Sequence, residues 1–282
     1  MNKYNIFEMG DKNSDYLKSQ YDLLKQTYQN SLQDLEAFVE LIEKEWTISI
    51  NMKLLAIHDL LVLGNYENVF EYYESIEEAF DIKISLDKAL EIRLKSYKPK
   101  RMAFNSCFND SERFKYGALN IGGLGISMYG EFCVVLKKSE IERYTSLVFI
   151  KEDSLNEYVD VNCNVDCNRM SKDVANRDHV HFLVAIKHQG SIKTIQKHQW
   201  AKMICCNEQY VESIIQDDVI NDHVEVVRIS KEDHKRMYKI MYDTVYIKPK
   251  SKIKAELFGK EFKLLKDVKI LLEQKGIRLE VI

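Results

Sequence analysis

Two glycine-punctuated runs constrain this chain more than anything else in it. The first is Glu112-Arg113-Phe114-Lys115-Tyr116-Gly117-Ala118-Leu119-Asn120. The second is Met128-Tyr129-Gly130-Glu131-Phe132-Cys133-Val134-Val135-Leu136. Each brings an aromatic residue up to a glycine, and the second continues into a valine-rich run of strand character. Before them the sequence reads as helices. After them it reads largely as strands. That order predicts an α+β fold whose catalytic core, if there is one, begins near residue 105.

The helical part is read from periodicity. After a loose lead-in over 1–13, Ser14 is placed to cap a helix from residue 15. Tyr16, Leu17, Tyr21, Leu24, Tyr28, Leu32, Leu35, Phe38, Val39 and Ile42 then recur at spacings of three and four, which predicts one or two amphipathic helices to about residue 45. Further helices are expected over 51–63, stopped by Gly64, over 67–80, and from a Ser85 cap to about 96, before Pro99. The chain divides on this reading into a helical N-terminal subdomain, 1–97, and an α+β domain, 98–282. Strands are expected in the second domain over 101–104, 116–121, 132–136, 146–150, 180–186, 192–195, 201–205, 210–214, 224–229, 245–247 and 277–281. A helix capped by Ser230 is expected to about 241, and another over 262–274, stopped by Gly276. Residues 151–178 read as a long polar loop, a kind of segment that is more often functional than ornamental.

Composition narrows the setting. The 282 residues carry a net charge of −3, so no blanket electrostatic reason to bind nucleic acid exists, although a local basic patch is compatible with it. The six cysteines are too few for a disulfide scaffold in a chain of this length and include the adjacent Cys205 and Cys206, which suits a reducing, cytoplasmic setting. No apolar stretch is long enough for a membrane span and the N-terminus lacks a secretory signal, so the expectation is a cytoplasmic protein, or one delivered into a host cell without a cleavable signal.

Three constellations could carry chemistry. Cys163 and Cys167 followed by His179 and His181 suit zinc by residue type, with H-x-H on a strand placing both imidazoles on one face; the alternative is two free thiols and two ordinary histidines. Gly122-Gly123-Leu124-Gly125 could cradle a phosphate, but it lacks a Walker lysine and the dinucleotide spacing, and a turn between strands accounts for it. No G-x-S-x-G elbow or family-type cysteine context points to a nucleophile. No metal is assigned.

Taken with what lies downstream, the opening runs resemble the core of a bacterial ADP-ribosyltransferase-like toxin and effector family. That family carries E-R-x-x-Y-G-A-L-N, an aromatic-Gly step into a V-x-L strand, a Thr/Ser-rich strand, a G-D-S-L-like turn, and a Tyr-(Ile/Val)-Glu strand followed by D-(I/V)-E. Here Arg143-Tyr144-Thr145-Ser146-Leu147, Glu152-Asp153-Ser154-Leu155, Tyr210-Val211-Glu212-Ser213-Ile214 and Asp222-His223-Val224-Glu225-Val226-Val227 stand in that order, over roughly residues 101–230.

The resemblance implies a mixed, mostly antiparallel split β-sheet core. It implies NAD as the donor substrate and transfer of ADP-ribose to a protein or nucleic-acid target, with an antitoxin or immunity protein as a further class of partner. Glu212 would be the catalytic carboxylate, stabilising positive charge at the ribose. Thr145 and Ser146 would shape the ribose pocket, Tyr116 and Asn120 would line the cleft, and Arg101, on the first core strand, would grip the phosphates, with Arg93 and Arg113 as rivals for that role. The sequence departs from the family in three places. Glu131 follows Tyr129-Gly130 where a small residue is usual. Tyr210 stands two before Glu212, where arginine-modifying enzymes carry Gln or Glu. The arginine-bearing first strand has no clear counterpart. An NAD glycohydrolase, a non-catalytic interaction protein on a degenerate transferase fold, and a zinc-stabilised binding domain are the alternatives.

Overall fold

A computed structural model describes residues 3–80, 85–246 and 252–282. Its centre is an open eight-stranded sheet built from β1 (Thr47–Met52), β2 (Lys115–Asn120), β3 (Phe132–Leu136), β4 (Leu147–Ile150), β5 (Val174–Ala175), β6 (Glu212–Ile215), β7 (Val224–Ile229) and β8 (Arg278–Val281). The order across the sheet is β5-β4-β6-β2-β1-β3-β7-β8. All neighbours are antiparallel except β7 and β8, which run parallel. The chain is therefore α+β with a mostly antiparallel sheet, as expected, but the eight strands form one sheet and not a split one.

The first 97 residues are not all helical. β1 lies between β2 and β3, at the middle of the sheet. It follows the helix Leu32–Glu45 and precedes the helix Leu54–Leu63, which occupies only the later part of the segment expected over 51–63. The signal for β1 was present: Thr47-Ile48-Ser49-Ile50-Asn51-Met52 alternates strictly, and Ile48, Ile50 and Met52 enter the core. The lead-in is also ordered, as a helix Ile6–Lys12 whose N-terminal N–H groups are capped by the Asn5 side chain. The following helix starts at Ser14 itself, without a side-chain cap.

Residues from both sides of position 97 share one hydrophobic cluster. One face of the sheet is packed by the helices Ser14–Thr27, Leu32–Glu45, Leu54–Leu63 and Val180–Lys187, together with Leu265, Val268 and Leu272 of the helix Lys252–Gln274. The segment 180–186, expected as a strand, is that fourth helix. Val180, Leu183, Val184 and Lys187 lie at helical spacing, and packing against Leu32–Glu45 and Ser14–Thr27 overrides the β-branched composition. Likewise 201–205 falls in the helix Trp200–Ile204, 192–195 forms turns, and 101–104 lies inside the helix Lys98–Cys107. The expected strand 245–247 is helical to Tyr246, with Ile247 outside the described residues. The opposite face carries a second cluster, in which Phe104, Phe108, Tyr158 and Met170 pack on Phe114, Val148, Ile150 and Ile214. Among the described residues no helix is long and apolar enough to cross a membrane.

The larger core contains a titratable group that gives the fold an acid limit. His188 is 2% exposed, stands edge-on to Phe38, and has no partner for Nε2 among the described residues. Burial, with the Lys187 charge adding to it, pushes its pKa down to about 4. The unfolded chain then binds the proton more tightly, at about 6.5. Stability contributed by the neutral ring is complete above pH 6.5 and is lost as pH falls towards 4, by about 3 kcal/mol in all. The thermal midpoint is expected to drop over that window in the wild type and to be flatter in His188→Gln. Parallel curves would show that His188 does not set the acid limit.

Candidate active site

Glu212 pairs in register with Ala118 of β2 and Ile150 of β4, so all three side chains stand on the same face of the sheet. It is the face that carries the second cluster. Glu212 is 7% exposed. A carboxylate so placed is costly unless it is protonated or hydrogen-bonded. Both conditions operate. Oε2 accepts the backbone N–H of Ser154 at 2.8 Å. Burial pushes the pKa up to about 8 and the Asp153 charge pushes the same way, while the Ser154 contacts and the Arg101 guanidinium oppose the rise.

Several segments deliver groups to this carboxylate. β4 ends at Ile150, the register partner of Glu212, so the turn that follows passes over it and supplies Asp153 and Ser154. The Asp153 Oδ1 atom accepts the N–H groups of Leu155 at 3.0 Å and Asn156 at 2.7 Å, which caps the short helix Ser154–Glu157. Its Oδ2 atom accepts the phenols of Tyr210 at 2.5 Å and Tyr129 at 3.0 Å. Burial raises the pKa of both phenols. Asp153 thus ties together the turn after β4, the glycine-rich connection between β2 and β3, and the residues entering β6. Lys187 braces the same junction from behind. Its side chain, 3% exposed, pairs with Glu152 at 2.6 Å and donates to the carbonyls of Lys151 and, at 2.8 Å, Tyr210.

Arg101 arrives from the helix Lys98–Cys107, not from a strand. Its guanidinium lies 3.6 Å from the centroid of the Tyr116 ring, close enough for a cation–π contact. Burial raises the pKa of Tyr116, whose hydroxyl lies near Arg101 without completing a hydrogen bond to it. The Ser154 hydroxyl stands beside Glu212 in the same condition.

Of the residues proposed from sequence, Glu212, Arg101 and Tyr116 converge, and the other three do not. Asn120 is fully buried and its amide builds the glycine turn: Oδ1 accepts the N–H groups of Gly122 at 2.9 Å and Gly123 at 2.8 Å, and Nδ2 donates to the Ser49 hydroxyl at 3.0 Å. Those two N–H groups are therefore spent inside the protein, which removes the phosphate-cradle reading of the turn. Thr145 and Ser146 stand at the opposite end of β4, held by the Asp217 carboxylate. Leu147 opposes Ile215 and Ile150 opposes Glu212, so about 13 Å of strand separates Ser146 from the carboxylate. Asp153, Ser154, Tyr129, Tyr210 and Lys187 were given no role from sequence. The turn Glu152-Asp153-Ser154-Leu155 was the available signal, because an Asp two and three residues before a pair of helical N–H groups is a capping pattern.

The candidate zinc ligands do not assemble. Among the described residues no group of three or more His, Cys, Asp or Glu side chains could hold a metal. His181 lies in the helix Val180–Lys187 and His179 at its N-cap, so a two-residue spacing turns the imidazoles about 200° apart. His179 Nδ1 instead meets the Asn176 amide oxygen at 2.9 Å, and His181 packs on Phe182.

Fold and site together define an α+β protein in which a buried strand glutamate, a second carboxylate, a guanidinium and three tyrosines meet on one face of a mostly antiparallel sheet. No protein-family model matches the chain, and no curated protein is similar to it.

The two carboxylates are coupled, which is testable without any ligand. Asp153→Asn removes the neighbouring negative charge and keeps an oxygen for the helix cap. The Glu212 midpoint is expected to move from about 8 towards the ordinary carboxylate range, read by carbon-detected NMR of the side-chain carboxyl. An unmoved midpoint would assign the whole shift to burial.

Proposed function

We infer that the protein is an NAD-dependent ADP-ribosyltransferase that passes ADP-ribose to a macromolecular target, acting as a toxin or effector. The carrying observation is the environment of Glu212: a buried carboxylate whose pKa is pushed up to about 8, with a guanidinium and a second carboxylate beside it. Around it Arg101 Nε, Tyr116 Oη and Ser154 Oγ are buried without hydrogen-bond partners among the described residues. Buried polar atoms are normally satisfied, so three in one place suit a ligand rich in hydroxyl and phosphate oxygens.

In the proposed reaction the bond between ribose C1′ and the nicotinamide nitrogen breaks, and its electron pair leaves with nicotinamide. The acceptor forms the new bond to C1′ and gives up a proton. Positive charge accumulates on the ribose, as in glycoside chemistry generally. Ionised Glu212 opposes that charge, and a cationic substrate beside it favours ionisation by lowering its pKa. Arg101 would hold a phosphate oxygen, and Ser154 would keep the carboxylate oriented through its N–H. With water as the acceptor, the same groups give an NAD glycohydrolase.

A non-catalytic interaction protein on the same scaffold is favoured by one observation. The face on which Glu212 stands receives Val148 and Ile150 from β4, not hydroxyl side chains. Release of nicotinamide from NAD by purified protein, compared with Glu212→Gln, separates the two. Turnover lost in the variant supports the transferase reading. No turnover and no NAD binding in the wild type would discard it.

A further inference from the structure

The approach to Arg101 is chemically distinct from the rest of the surface. From Ile92 to Asn109 the chain has no acidic residue, although it has 44 of them in 282 positions, and five cations crowd into its first part: Arg93, Lys95, Lys98, Lys100 and Arg101. Two are already engaged. Lys98 pairs with Asp87 at 2.6 Å and Lys100 donates to the Leu155 carbonyl at 3.1 Å. The nearby Glu91 is held by Lys88. Arg93 lies over the Tyr72 ring at the edge of a cavity that Asp59 and Glu67 also line. Lys95 is exposed, with no carboxylate partner among the described residues, and next to it Tyr97 is 49% exposed. An exposed aromatic ring flanked by cations, one of them without a carboxylate partner among the described residues, is the pattern that stacks a base and follows a phosphate backbone.

Two further features point the same way. The helix Lys98–Cys107 has no acid in its first turn and no side-chain cap. Cations sit there against the helix dipole, an arrangement that an anion from outside would relieve. Lys95 is held at φ 50 and ψ −125, a conformation suited to glycine, yet a cation occupies it. Tyr97 precedes Arg101 by four residues, about 6 Å along the helix axis, so the basic surface leads directly to the Glu212 site.

We propose that the exposed segment from Arg93 to Tyr97 docks single-stranded nucleic acid and that, on the transferase reading above, this nucleic acid is the acceptor of ADP-ribose. The partner is single-stranded because the platform offers one ring for a base face and a short line of cations, with no element shaped to enter a duplex groove.

The test uses the full chain and a double variant, Lys95→Gly with Tyr97→Ser. Glycine fits the backbone at 95 and serine supplies the missing cap at 97, so neither change should weaken the fold. Fluorescein-labelled oligothymidylate and oligouridylate of about 20 nucleotides are titrated from about 50 mM salt upwards, the two probes distinguishing DNA from RNA. The wild type is expected to bind, and the variant to bind about tenfold more weakly, with a log–log salt slope shallower by about 0.7. Incubation with labelled NAD is expected to label the oligonucleotide. Equal binding by wild type and variant overturns the docking surface. So does no binding by a wild type that still releases nicotinamide, and label that enters only protein when lysate is added overturns the acceptor role; all three leave the transferase reading standing. Salt-dependent binding that the variant weakens, without any NAD turnover, upholds the docking surface and removes the transferase reading instead.

Discussion

On the proposed transferase reading, Glu212→Gln is expected to lower nicotinamide release from NAD by about a hundred- to a thousandfold, while making the protein more stable above pH 8. The loss of rate would follow from removing the carboxylate that the proposed reaction sets against the ribose cation, an effect of the size seen when a preorganised electrostatic partner is deleted. The gain in stability follows from the sign of the Glu212 shift. Its pKa in the folded protein is about 8, above the 4.5 of an ordinary glutamate, and the first cause is burial. The folded state therefore holds the proton more tightly than the unfolded chain. Stability from this group is complete below pH 4.5 and is lost as pH rises through about 8. Glutamine has no proton to lose and can still accept the Ser154 N–H. A gain of about 5 kcal/mol at pH 9, fading to nothing near pH 5, is expected by thermal or denaturant unfolding. A variant that loses turnover and also loses stability at high pH would mean that Glu212 is a structural group.

Gly130→Ala is expected to be among the most destabilising single-methyl changes in the chain, by about 3 kcal/mol or more, with a fall in Tm of roughly 6–10 °C. A Cβ at this position would lie 2.1 Å from the Met52 carbonyl carbon, 2.4 Å from its oxygen and 2.6 Å from the Lys53 nitrogen. These are backbone atoms at the end of a central strand, so no side chain can turn aside. Gly130 is extended, and the requirement is for space alone. The neighbouring geometry is pinned by Asn51, which donates to the carbonyls of Leu124 at 3.0 Å and Gly130 at 3.1 Å and accepts the Ile126 N–H at 2.7 Å. Displacing Gly130 should pull Tyr129 off Asp153 and, on the proposed transferase reading, weaken NAD turnover as well. Gly190→Ala, where nothing lies within 4 Å of the added methyl, is the matched control and should be near neutral. Comparable losses in the two variants would refute this account of Gly130.

These two positions show what kind of information each level carried. Glu212 was legible because a lone carboxylate among Val211, Ser213 and Ile214 contradicts the apolar run around it, and such a contradiction is a mark of a site. Tyr129-Gly130 was legible as a motif, but its reason was not, since the atom that forbids a side chain belongs to Met52. β3 and β7 were placed to the residue by composition and flanking turns. The segment 180–186 was misread because a short apolar run does not declare its period. Only its contacts with two N-terminal helices show that three- and four-residue spacing is the one in use.

The sequence by itself determined that the chain is α+β with a helix-rich start; the family resemblance added a mostly antiparallel sheet and six proposed site residues, of which Glu212, Arg101 and Tyr116 come together. The first rests on local pattern, and the rest on the order of the motifs along the chain that carries the resemblance. Only the tertiary structure decided that β1 from the N-terminal part completes the middle of the sheet, that Thr145 and Ser146 lie at the wrong end of β4, and that Asn120 serves a turn. It alone decided that Asp153 latches Tyr129 and Tyr210 beside Glu212. The reason is physical: a side chain's surroundings depend on strand register and on which segments cross over it, and both are set by contacts between residues far apart in the chain.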